Sequence, residues 1–148
     1  MKYSSEIKDL MEALDASPKN IKLRYLLADK LLKSGYIDEA ETQLEKLLEY
    51  DRNHLPAKEL LAEAFYKQGK YSPIIMIAEE LKDSVDLPFL LKLYYTKALV
   101  KEGNLAEAQK SYSEILDQNP SFSDKELDDK LRIKSFDFLD DIEDDDSV

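Results

Sequence analysis

The chain has only three glycines, Gly35, Gly69 and Gly103, and they stand 34 residues apart. A lysine precedes each by two positions: Lys33, Lys67 and Lys101. A fixed interval of this length marks one supersecondary unit used several times, which restricts the fold more than composition does. The apolar residues keep the same step. Leu27, Leu61 and Tyr95 share one column, Leu31, Phe65 and Leu99 a second, and Leu47, Leu81 and Ile115 a third. Ala28, Ala62 and Thr96 form a column of small residues, and Pro18, Arg52, Asp86 and Pro120 form another column.

Each unit carries apolar residues at helical spacing before its glycine and again after it. Glycine just past a helix end takes the left-handed cap conformation that other residues resist. Lysine in the last turn suits the negative end of the helix dipole. Each unit therefore reads as helix, glycine turn, helix. Ala28 and Ala62, with Ala40 and Ala108 in the second helices, allow close approach. One such pair cannot bury its apolar face alone, but stacked neighbours bury a continuous core. With 36% charged residues and only five prolines, the composition agrees with helices.

These columns resemble the tetratricopeptide repeat family, whose 34-residue unit is a pair of antiparallel helices. The resemblance implies an all-α fold, an α-solenoid wound as a right-handed superhelix, with three full repeats and flanking helices. The repeats are placed at 21–54, 55–88 and 89–122, so that the array fills 20–122. Their first helices are expected at 20–34, 55–68 and 88–102, their second at 37–50, 73–84 and 105–118. Two departures stand out. The family's frequent tryptophan near the fourth position is replaced by Arg24, Lys58 and Lys92. Ile74 stands where a small residue is usual, which predicts looser or shifted packing in the second repeat. Ser72 before Pro73 reads as an N-cap with proline in the first turn.

The flanks complete the array. Residues 1–19 contain an amphipathic helix over 4–16, with Ile7, Leu10, Met11 and Leu14 on one face, expected to cover the first repeat. Residues 123–139, with Leu127, Leu131 and Phe138 apolar, read as a capping helix; Ser123 and Glu126 fit a capping box. Residues 140–148 read as an acidic, disordered tail or linker.

The net charge is −11, and seven acids with no base lie between Asp137 and Val148. Such a surface repels nucleic-acid backbones and anionic membrane faces, so neither is expected as a partner. There is no cysteine, hence no disulfide or thiolate site. No signal peptide or membrane span is visible, and a cytoplasmic location is expected. The single histidine, His54, falls in a turn and reads as a surface residue. Neither a phosphate-binding glycine loop nor a catalytic constellation appears. The acidic tail lacks the glycine and spacing of a calcium loop. No metal, no cofactor and no enzymatic activity are expected. Phe136, Phe138, Leu139 and Ile142 interleave with the tail's acids, the pattern of a short docking segment.

The resemblance also implies a partner site, because the first helices line the concave side of such arrays. The groove positions carried over are Tyr25, Asp29 and Leu32, then Glu59, Glu63 and Tyr66, then Leu93, Lys97 and Val100. Members that clamp a peptide's terminal carboxylate use lysine, asparagine and arginine. The matching positions here hold Tyr25, Asp29, Leu60, Leu90 and Tyr94, so that ligand is not expected. The acidic tail is expected to be able to fold back toward Lys33, Lys67, Lys97 and Lys101. The leading function is an adaptor or scaffold that binds a peptide or protein segment. The alternatives are a regulatory region of a larger protein such as an ATPase, or a self-assembling module that forms a homodimer.

Overall fold

A computed structural model describes residues 2–132, leaving aside the side chain of Arg132. The helices are α1 (Ser5–Ala16), α2 (Ile21–Lys33), α3 (Ile37–Tyr50), α4 (Leu55–Lys67), α5 (Ser72–Leu81), α6 (Phe89–Lys101), α7 (Leu105–Gln118) and the single turn α8 (Lys125–Leu127). A π-helical turn, Asp128–Arg132, continues from α8. No strand occurs among the described residues, and the fold is an all-α solenoid of helix pairs.

The glycines close three identical turns. Each has positive φ, at 89°, 74° and 81°. After α2, the Gly35 amide donates to the Leu32 carbonyl and the Tyr36 amide to the Leu31 carbonyl. The same two bonds recur with Gly69 and Lys70 after α4, and with Gly103 and Asn104 after α6. This double bond pattern satisfies carbonyls that the helix end leaves open. It also turns the chain sharply enough for the second helix to fold back on the first.

One apolar cluster joins α1 to α4 through Ile7, Leu27, Leu44, Leu47 and Leu61. Another joins α5 to α8 through Ala78, Leu99, Ile115 and Leu127. Ala62, Ile74, Leu91 and Ala98 fill the space between them. Ile74 is fully buried there, because Ala62 and Ala98 supply the small residues from the facing helices. A large residue on α5 is thus compensated across the interface, as close packing requires.

Three local expectations are corrected. α5 ends at Leu81 rather than residue 84 and has 10 residues, where α3 and α7 have 14. Ser84, Val85 and Asp86 are weak helix formers, and Pro88 biases Leu87 toward extended backbone. Ser72 is not the N-cap of α5. Tyr71 holds that position without a side-chain bond, and the Ser72 hydroxyl instead lies 3.3 Å from Glu102 Oε1. Asp124 rather than Ser123 caps α8, its Oδ1 accepting from the Leu127 amide, while Ser123 donates to Asp128. A carboxylate at the positive end of the helix gains more than a hydroxyl there. Of the expected helix at 123–139, residues 125–132 are helical, and Phe138 and the tail lie outside the described residues.

His54 has a more definite place than a surface residue. Its Nδ1 accepts from the Ala57 amide at 3.1 Å and so caps α4, and its ring lies 5.7 Å from that of Tyr25.

Candidate interaction groove

The side chains of α2, α4 and α6 that the core does not use form a row across the array. Tyr25, Asp29, Glu59, Glu63 and Tyr66 are half-buried, and so are Leu93, Lys97 and Val100. Leu32 is different. It is 2% exposed within the first cluster and has no surface to offer. Leu93 and Val100 pack partly against the second cluster and present only an edge.

Charge divides the row. Asp29 pairs with Lys33 at 3.0 Å and Glu63 with Lys67 at 3.1 Å, both four residues apart on one helix. Glu59 Oε2 accepts from the Leu90 amide at 3.0 Å and so ties α4 to the start of α6. Burial raises the pKa of the Tyr25 hydroxyl, and Asp29 and Glu59 raise it further. Tyr94 is pushed up to about 12 by burial and then by Glu63 and Asp124. The Tyr25 and Tyr94 hydroxyls therefore stay neutral and can donate to an acceptor. Tyr66 lies 5.5 Å from both Tyr71 and Tyr94, ring centre to ring centre. Exposed apolar side chains stand beside these groups: Leu26 is 41% and Leu90 42% exposed.

The far end of the row is closed by the chain itself. Asp124 meets Lys97 at 3.1 Å, and Glu126 meets Lys101 at 3.7 Å. The Tyr66 hydroxyl donates to the Glu126 carboxylate at 3.2 Å, and Lys97 lies 5.4 Å over the Tyr66 ring. Leu127 and Leu131, 0% and 2% exposed, anchor this segment in the core. Residues 124–126 thus meet two of the lysines toward which the acidic tail was expected to fold; the tail itself lies outside the described residues. Asp124 and Glu126 were missed as groove residues, although their spacing of two before an apolar anchor is visible in the sequence.

No group of three or more histidine or acidic side chains is placed to hold a metal among the described residues. No described helix is long and apolar enough to cross a membrane.

The helix pairs and their surface define a helical-repeat protein built as an α-solenoid. The chain carries tetratricopeptide repeats: the profile described as tetratricopeptide repeat matches residues 7–64. It is 31% identical over 129 residues to TPR repeat-containing protein MJ1428 of Methanocaldococcus jannaschii, a match covering 85% of this chain and 22% of that protein. It is 28% identical over 106 residues to mouse tetratricopeptide repeat protein 21A, covering 72% of this chain and 8% of that protein. The chain therefore spans less than a quarter of the length of either relative. The solved structure of MamA (AMB-1) superposes with a TM-score of 0.63 at 22% identity, covering 75% of this chain and 66% of that one. That likeness concerns the fold.

Proposed function

We propose that the chain is an interaction module that binds a segment of another protein along the row from Tyr25 to Tyr94. The observation that carries this reading is the set of Tyr25, Tyr66 and Tyr94 beside exposed Leu26 and Leu90 and the carboxylates of Asp29, Glu59 and Glu63. Tyrosine offers large contact area at low entropic cost, and interface hot spots are enriched in it. The open part of the row carries Asp29, Glu59 and Glu63 against Lys33 and Lys67, an acidic excess of one, so it favours a segment with apolar and basic side chains. It disfavours a terminal carboxylate, which Asp29 and Glu63 repel. The basic end is held by the chain's own Asp124 and Glu126.

The test compares partners retained from host lysate by the full chain and by a Tyr25→Ala, Glu59→Lys variant. Partners retained by the full chain and lost by a folded variant support the groove. Partners retained equally by both place binding elsewhere.

A further inference from the structure

The three helix pairs treat one position differently. In the first pair, the fourth-position residue Arg24 is 6% exposed. Its guanidinium donates to Gln43 Oε1 and to the Pro18 carbonyl, both at 2.6 Å, and lies 5.8 Å from the centre of the Tyr50 ring. Two 34-residue steps carry Pro18, Arg24, Gln43 and Tyr50 onto Asp86, Lys92, Ser111 and Gln118. All four of these line a single cavity of about 540 Å³ between α6, α7 and the connection after α5. Gln43 and Arg24 have become shorter side chains, and the early end of α5 carries residues 82–88 off the helical path. The slot that the first pair fills with its own guanidinium is open in the third.

The open slot has the chemistry to take a guanidinium from outside. Its walls hold five carboxylates, Asp83, Asp86, Glu107, Glu114 and Asp117, against three lysines. Lys92 spends its charge on Glu114 at 3.4 Å. Tyr95 stands where the first two pairs have Leu27 and Leu61, so a phenol replaces an aliphatic side chain in a core column. Tyr95 is 4% exposed; its hydroxyl makes no close hydrogen bond among the described residues, and the Lys82 ammonium stands near it. Burial raises that hydroxyl's pKa, and the Lys82 ammonium opposes the rise. A buried polar group without a partner costs free energy, and a ligand that supplies the bond recovers it. Val85 and Leu87 give apolar wall for a methylene stem. The volume lies within the usual range for ligand pockets.

We infer that this cavity receives an arginine side chain of a partner protein, its guanidinium forked onto the carboxylates as Arg24 is forked onto Gln43 and Pro18. Arginine is favoured over lysine because a planar fork meets two carboxylates at once, whereas an ammonium is a point charge. Lys92 and Tyr95 lie on a different face of α6 from Lys97 and Val100, so the site is independent of the groove reading.

The probe is a short capped Gly-Arg-Gly peptide, titrated into the full chain and followed by amide chemical shifts. Its lysine and citrulline counterparts serve as controls, and citrulline keeps the shape without the charge. The expected result is a shift of the amides of Asp86, Ser111 and Asp117, with the citrulline peptide at least tenfold weaker and the lysine peptide between the two. Lys92→Arg with Ser111→Gln rebuilds the first pair's arrangement and should weaken the arginine peptide at least tenfold. Glu107→Gln with Asp117→Asn changes two surface carboxylates at little risk to folding and should do the same. Citrulline binding equal to arginine, shifts scattered over the acidic surface, no saturable shift, or affinity unchanged in the folded variants would each overturn the inference.

Discussion

The first and third helix pairs share a backbone plan and differ in what they enclose. Around Arg24, Gln43 Oε1 and the Pro18 carbonyl accept from the chain's own guanidinium, and Arg24 Nε lacks a partner. Around Lys92 the same register leaves a cavity, an ion pair to a half-exposed Glu114 and a Tyr95 hydroxyl with no close hydrogen bond. The glycine turns and apolar columns are the same in both. The comparison teaches that in a stacked array the turn residues and core columns hold the path, while one interior position per unit is free to be structural in one unit and available in another.

The comparison breaks most sharply at its two cations. Arg24→Ala should cost about 2–3 kcal/mol, because it strands Gln43 and the Pro18 carbonyl and opens a void. Lys92→Ala should cost under about 1 kcal/mol, because its partner Glu114 is half exposed and water can replace the lysine. Urea unfolding of the two variants measures both, and equal losses would mean that the slots are energetically alike.

A smaller effect tests what the pairs share. Gly35→Ala, Gly69→Ala and Gly103→Ala should each cost about 1–2 kcal/mol from forcing a side chain into the left-handed region. Nothing lies within 4 Å of a Cβ built at any of the three, so backbone strain is the whole cost and the values should agree. A large spread among the three melting temperatures would show that the turns are not equivalent.

The smallest effect is spectroscopic and sharpens the contrast between the groove and the exposed surface. Tyr94 has its pKa raised to about 12, burial being the main cause. A folded-state pKa above the unfolded value of about 10 means that the unfolded chain ionises first. The stability this group contributes is intact below about pH 10 and is lost as pH rises toward 12. Absorbance at the tyrosinate band should show the Tyr94→Phe variant lacking a late-titrating component. Loss of an early component instead would mean that Tyr94 is solvated.

Much of the helix plan was legible because helix punctuation is local. The three glycines, the lysines before them and the apolar columns act within a few residues, and α2, α3, α4, α6 and α7 start and stop within about two residues of where those signals put them. α5 was harder. Its early end depends on Ser84, Val85 and Pro88 acting together, and a strict 34-residue step carries no information about a unit that falls short. Of the groove residues, Tyr25, Asp29, Glu59, Glu63, Tyr66 and Lys97 keep accessible surface, whereas Leu32 does not. Its burial depends on how closely α1, α3 and α4 pack around α2, which a single helix face cannot reveal.

The sequence by itself determined the number of helix pairs, the turn that joins each and the residues available for a core, because periodicity and glycine conformation act over short stretches of chain. Only the tertiary structure decided that Asp124 and Glu126 reach Lys97, Lys101 and Tyr66, and that Asp86, Lys92, Ser111 and Gln118 surround an open space. These groups are far apart along the chain or in separate elements. Their meeting depends on stacking geometry and on side-chain lengths that differ by a few atoms between equivalent positions.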